Sequence, residues 1–353
     1  MLKKAAALFL ACVGIALCAS CGKSSNHYVY ASIPTASQIV AYREDPNSGA
    51  LTPLSVSPIT AGSGITSIAI HPSKQFLYAA NSSLDSISLF TIAPGGALTE
   101  VTPRTPAGIT PAFLVMDSTG SYLYVGNAAS NNISAFSISS SSGALTPVGT
   151  PTQLGISPLN MVLSSSGNLL FVTGAGSPGW IEVFSLNAGA LSLVQVARTG
   201  TNPYGLAVDP SGTHLYAANF GDNSISEFTI NPGSTPVLTE LSGSPFGEAY
   251  TSPVALLVDN SGKYLYVANE GSGNLGAYAI GSDGGLTLLT SSPFTTNAQP
   301  SVIANDPKGP YVFVGNQKGS AIQVFSLSPG SGSLALIGSY PVGNTPTSIA
   351  VLP

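Results

Sequence analysis

Charge is scarce in this 353-residue chain: only 7% of its residues are Asp, Glu, Lys or Arg, against roughly 25% in an average soluble protein. That poverty disfavours long surface helices, which draw on Lys and Glu. Cysteine stops at Cys21, after Cys12 and Cys18, so a domain following this point holds no disulfide and no cysteine-ligated zinc. Tryptophan occurs once, at Trp180, and histidine three times, at His27, His71 and His214. No run of about 18 apolar residues follows residue 20, so no later membrane-spanning helix is expected. After the first 20 residues there is no Lys/Arg cluster, so no nucleic-acid partner is expected, because neutralising phosphates takes a basic face. A phosphate loop opening a helix, a paired-histidine zinc motif and a calcium loop of alternating Asp/Asn are all missing. Asp283-Gly284-Gly285 reads as a hairpin turn instead. No cofactor and no metal is therefore expected. A Gly-x-Ser-x-Gly elbow is missing too; the nearest stretch is Ala175-Gly176-Ser177-Pro178-Gly179.

What replaces charge is Ser, Thr, Gly, Asn and Pro, a mixture suited to many short strands and tight turns. The first 20 residues differ. Lys3 and Lys4 precede an apolar stretch from Ala5 to Leu17 of signal-peptide length, and the segment Leu17-Cys18-Ala19-Ser20-Cys21 resembles a bacterial lipoprotein signal. The resemblance implies a leader over 1–20, lipid attachment at Cys21 and a short linker over 21–27. It departs from the pattern in that Cys18, not Leu17, stands three residues before Cys21. The alternative is ordinary cleavage near Cys18-Ala19. Gly22 is not the Asp associated with retention at the inner membrane, so export to the cell envelope, with the outer membrane favoured, is the expectation. Membrane contact is then through the anchor alone. Loss of Lys3 and Lys4 with the leader leaves eight basic and fifteen acidic residues, a net charge of −7.

Beyond residue 27 two ladders run the length of the chain. Leu51, Leu98, Leu145, Leu191, Leu238, Leu286 and Leu334 recur about every 47 residues. So do Tyr30, Tyr78, Tyr124, Phe171, Tyr216, Tyr266 and Phe313. Seven copies of one period mean a repeat architecture. Each copy reads as four strands. In the fifth, these are an apolar innermost strand over 205–208, the turn Asp209-Pro210-Ser211-Gly212, strands over 214–219 and 224–230, and an outer strand around 237–239. Apolar residues at both parities of the third strands, such as Ile133, Phe136 and Ile138, fit sheets packed on both faces. The last copy ends on an innermost strand, 346–351, and the first begins on a second strand, 28–31. Together they complete one blade if a ring closes. The fold expected over 28–353 is all-β: a seven-bladed propeller of four-stranded blades, closed by pairing the C-terminal strand with the N-terminal blade.

Asp209-Pro-Ser-Gly with Leu215-Tyr216-Ala217-Ala218-Asn219, and Asp259-Asn-Ser-Gly with Leu265-Tyr266-Val267-Ala268-Asn269, resemble the YVTN-type propeller repeat. With the Gly-Ala-Leu-Thr turns at Gly49 and Gly143, they are similar to the seven-bladed lactonase-like family over about 28–353. That family includes bacterial 6-phosphogluconolactonases and carboxy-muconate cyclases. The resemblance implies lactone chemistry as one reading, but its motifs hold blades together and assign no chemical role. Enzymes acting on charged lactones need basic and acid–base groups. Here His27 sits beside the presumed anchor, and His71 takes a turn position that is Asp in other copies. His214 aligns with Phe76, Tyr122, Tyr264 and Tyr311, and Arg43 lies in the charged turn Arg43-Glu44-Asp45. Arg104 and Arg198 fall in or near outer strands. None is a natural site residue.

Departures from the repeat on one rim are the remaining clue, since loops from second to third strands and loops between blades emerge together there. Trp180 stands where other copies have Ser86, Asn132 or Ser224, and its loop lacks the usual Asn. Tyr204, Asp222, Glu248, Tyr250 and Glu270 crowd the rim of the fifth and sixth copies. Trp180, Tyr204, Glu248 and Tyr250 are candidate ligand contacts, and Asp222 and Glu270 candidate acid and base. The leading expectation is a monomeric binding or scaffold propeller in the envelope, its ligand a small molecule, glycan or envelope protein. The alternative is a lactone hydrolase acting on a neutral or sugar-derived lactone.

Overall fold

The computed structural model describes residues 27–247 and 249–353; the leader, Cys21 and Glu248 lie outside them. Seven antiparallel sheets follow one another around an axis, each ordered from an innermost to an outer strand. Blade 2 shows the plan, with strands Ile65–Ile70, Phe76–Asn81, Ser86–Ile92 and Leu98–Pro106. Blades 3 to 7 begin at Pro111, Pro158, Pro203, Pro253 and Pro300. Blade 1 is composite: His27–Ile33, Gln38–Glu44 and Leu51–Pro53 are joined on the inside by Ser348–Leu352. Tyr28 pairs with Leu352 and Ser32 with Ser348, antiparallel. The seven-bladed ring and its closure are therefore those the ladders predict. Among the described residues the one helical segment is the 3₁₀ turn Pro34–Ala36, and no helix is long and apolar enough to cross a membrane.

The two ladders join blades at fixed places. Tyr30, Tyr78, Tyr216 and Tyr266 are buried and donate their hydroxyls to Gly96, Gly143, Gly284 and Gly332, the outer hairpin of the next blade, at 2.7–2.9 Å. The aromatic ring fills the interface while the hydroxyl satisfies a carbonyl that packing has removed from water. Rungs of the leucine ladder open six of the seven outer strands, with Leu191 second in its own, and join clusters shared by adjacent blades, as Leu98 does with Tyr30 and Leu77. In blades 5 and 6 the turn aspartates close the first hairpin: Asp209 accepts the amides of Thr213 and His214 at 2.8 Å, and Asp259 those of Lys263 and Tyr264 at 2.9 Å. Where His71 replaces this aspartate, its Nε2 lies 3.0 Å from the Gly120 carbonyl of the neighbouring blade's turn.

The asparagine ending five second strands has an equally local reason. Asn81, Asn127, Asn219, Asn269 and Asn316 are fully buried. The first three donate Nδ2 to Ser88, Ser134 and Ser226 on the third strand at 2.9–3.0 Å. Blade 4 has Gly174 at this place. There Glu182 does the related work, accepting the Gly155 amide at 2.9 Å as Asn127 accepts that of Gly108 at 3.1 Å.

Glu227 breaks the repeat differently. Its register partners in other blades are Ala41, Leu89, Ala135, Val183, Ala277 and Val324, so a carboxyl enters an apolar interface. Burial, helped by Asp283 and opposed by the Leu286 amide, pushes it from 4.5 up to about 7. Between those values the folded protein holds a proton that the unfolded chain releases, so stability falls as pH rises through this window and levels off above it. The shift corresponds to about 3 kcal/mol at most. Glu227→Gln, which stays neutral, should match wild type near pH 4.5 and be more stable at pH 8. Urea midpoints at both pH values check this, and parallel pH slopes for the two proteins would refute it.

Candidate active site in the axial funnel

The innermost strands enter the ring through a recurring backbone device. Gly64, Thr110, Asn202, Ser252 and Gln299 all take positive φ. Each directs its carbonyl to the amide of the first residue beyond the second strand of its blade: Ser82, Ala128, Phe220, Glu270 and Gln317, at 2.9–3.0 Å. Recurrence in five blades makes this conformation part of the architecture. Its consequence is local, because that first loop residue is held at the mouth of the axial channel. In blades 2 and 3 the residue is small. In blades 5, 6 and 7 it is an aromatic ring, a carboxylate and an amide in succession, and these three line a cavity of about 560 Å³ around the axis.

Hydroxyl and apolar groups at the starts of the innermost strands complete the wall, including Thr66, Ser67, Phe113, Ser301 and Thr347. Tyr204, second in the blade 5 strand, is partly exposed and lies 5.1 Å from Phe220 between ring centroids. Its carbonyl accepts Asn160 Nδ2 at 2.9 Å. Gly205 follows because a Cβ there would stand 3.0 Å from the Ala255 Cα of blade 6. Glu270 is the carboxylate among the lining residues, and no Lys, Arg or His lines the cavity. The site is an open funnel of mixed lining, apolar along much of its wall, with Tyr204 and Phe220 on one side and a single acid.

The candidates named from sequence divide accordingly. Tyr204 and Glu270 come together in the funnel; Trp180, Asp222 and Tyr250 do not line it. Trp180 lies under Arg198, whose Cζ is 5.3 Å from the ring centroid, across the strand pair that joins them. Asp222 receives the Thr201 amide within its own blade, and the Tyr250 hydroxyl is 3.2 Å from Ser292 Oγ. Glu248 falls outside the described residues. Phe220 and Gln317 went unnoticed in the sequence, although they share with Glu270 the position just after the second-strand Asn. The arginines serve elsewhere: Arg104 forks onto Glu100 at 2.7 and 3.1 Å, and Arg43 is exposed.

One charged residue outside the funnel is not where the sequence suggests. The turn Arg43-Glu44-Asp45 is solvated at Arg43 and Asp45, but Glu44 is 1% exposed, in the last strand position before the turn. Burial, then the nearby Asp306 and Asp45, pushes its carboxyl up to about 8.

Seven blades, one of them composite, around an axial funnel define a ring-closed seven-bladed propeller. The sequence profile described as Lactonase, 7-bladed beta-propeller, matches residues 23–163 and 238–351, and the chain belongs to that family. Among curated proteins none matches it. Solved structures share the fold at low identity. A Bacteroides fragilis protein carrying the provisional name 6-phosphogluconolactonase is 20% identical, with 94% of this chain and 99% of that one aligned at a TM-score of 0.80. The periplasmic gluconolactonase of Pseudomonas aeruginosa is 19% identical, with 93% and 99% aligned at 0.76. A Lactobacillus plantarum protein is 22% identical, with 93% and 99% aligned at 0.80.

Proposed function

We propose that this protein hydrolyses an uncharged, sugar-derived lactone in the axial funnel, with Glu270 as general base. The observation that carries this reading is the placement of Glu270 at the mouth beside Tyr204, Phe220 and Gln317. A sugar ring fits an aromatic surface with an amide and hydroxyls around it, since its apolar face stacks while its hydroxyls exchange hydrogen bonds. Glu270 takes a proton from water as the water oxygen adds to the lactone carbonyl. Amide donors such as the Gln317 side chain face the developing oxyanion. Collapse breaks the bond from the carbonyl carbon to the ring oxygen, the proton passes to that oxygen, and a hydroxy acid leaves. Lack of a cation in the wall disfavours a phosphorylated lactone. Membership of the lactonase family adds to this reading and moves weight away from a purely binding or scaffold role. Export and anchoring at Cys21 belong to the same proposal, as does a monomeric state.

The test is acid release by pH-stat from the purified protein on a panel of sugar, phosphosugar and aliphatic lactones. Turnover should be well above spontaneous hydrolysis on an unphosphorylated sugar lactone and weaker on its phosphorylated counterpart. No turnover on any lactone would return the binding reading to first place.

A further inference from the structure

Where blade 7 packs against the composite blade 1, three side chains with metal-binding donors meet in burial. Glu44 ends the third strand of blade 1, opposite His27. The corresponding residues of the other blades are Ile92, Ile138, Leu186, Ile230, Ile280 and Leu327, so six blades place an aliphatic side chain where this one places a carboxylate. Neither Glu44 oxygen has a hydrogen-bond partner.

Asp306, fully buried, is the turn aspartate of blade 7. In blades 5 and 6 both oxygens of this residue are occupied, the second by hydroxyls of Ser211 and Thr213 or of Ser261. Blade 7 has Lys308 in place of that serine, and Pro310, which has no N–H, in place of Thr213 or Lys263. Asp306 Oδ1 accepts the Lys308 amide at 2.9 Å, while Oδ2 has no hydrogen-bond partner and faces blade 1. His27 Nδ1 stands 3.5 Å from Asp306 Oδ2 and 3.8 Å from Glu44 Oε2, and the three donor atoms lie within 4.8 Å of one another.

We propose that His27, Glu44 and Asp306 form a binding site for a zinc-class divalent cation that staples the first blade to the seventh. Two carboxylates and an imidazole form the mixed nitrogen and oxygen set that zinc accepts, with a fourth position left for water. Tetrahedral coordination at about 2.0–2.1 Å separates ligand atoms by about 3.4 Å, within a few tenths of the two distances here. Calcium fits less well, because it takes six to eight oxygens. The cation's charge also balances two carboxyl groups that burial has deprived of solvent. The sequence concealed this set because its members come from opposite ends of the chain.

The experiment uses the purified protein stripped with a chelator, then dialysed with equimolar zinc and analysed for bound metal. One zinc per chain is expected, with a melting temperature several degrees above that of the stripped protein. Glu44→Leu installs the residue type of the other blades and should fold. It should bind no stoichiometric zinc, and its melting temperature should ignore both zinc and chelator. Cobalt loading gives a second readout, with a visible tetrahedral spectrum in wild type that is lost in Glu44→Leu. Wild type that retains no zinc and melts identically in zinc and chelator overturns the proposal, leaving a proton-sharing cluster. Equal zinc binding by Glu44→Leu overturns it too, placing the metal elsewhere.

Discussion

A chain lacking residues 346–353 is expected to be insoluble, or to melt about 10 °C or more below the full protein. The strand removed, Ser348–Leu352, serves two interfaces at once. Ile349 and Val351 pack with the cluster shared by blades 7 and 1, which contains Ala31, Ile33 and Phe313. Ala350 and Leu352 pack with the cluster shared by blades 1 and 2, which contains Ile39, Ile65 and Ile68. Burial of the three larger side chains is worth about 5–9 kcal/mol, similar to the whole stability of a typical domain, about 5–15 kcal/mol. Chain entropy regained on unfolding the strand offsets part of this. The deletion has a further consequence, however, because the buried strand His27–Ile33 becomes an exposed edge able to pair with other chains. Polar ties go as well: Thr347 Oγ1 lies 3.0 Å from Ser32 Oγ, and Ser348 Oγ accepts the Ile68 amide at 3.2 Å. Soluble yield and the thermal midpoint of the truncated protein are the measurements. An unchanged midpoint would mean that the ring does not depend on this strand.

Periodicity made the fold legible because each blade solves the same interface problem with the same residue types. A tyrosine must reach the next blade's hairpin, and a leucine must open the outer strand, so both recur at the period of the blade. The split blade could be read for the same reason, as two incomplete copies. The funnel was partly legible. Glu270 immediately follows the second-strand Asn, and the amide bond to Ser252 holds that position at the axis. Asp222 sits two residues further from its own Asn and turns into the loop. Rim position was therefore too coarse a criterion, and place within the loop was the useful one; it would also have found Phe220 and Gln317. Trp180 stood out by type, yet its partner is Arg198, and the missing Asn of its loop is answered by Glu182. Glu44 was hidden by its neighbours, since Arg43-Glu44-Asp45 looks like a solvated turn until strand register puts Glu44 inward. The break in an Ile/Leu ladder was the available signal.

Glu270→Gln should reduce kcat/KM on the best lactone by about 10²–10⁴-fold, the usual loss when a general base is removed. The substitution keeps size and hydrogen-bonding capacity, so the funnel and its affinity should survive. The loss should then fall on kcat, with KM nearly unchanged, as expected for an interaction made in the transition state. Asp222→Asn is the control, because its carboxylate receives the Thr201 amide outside the cavity. That variant should retain activity within a few-fold. Tyr204→Ala should show the converse pattern, with KM raised through loss of the ring stacked near Phe220 and kcat less affected. Steady-state kinetics on the three variants and wild type separate these roles, with melting temperatures to confirm folding. Full turnover in Glu270→Gln would keep the protein an enzyme but remove its base from this position. The search would then pass to water held by Ser67, Ser301 and Thr347, the hydroxyls of blades 2, 7 and 1 that line the funnel.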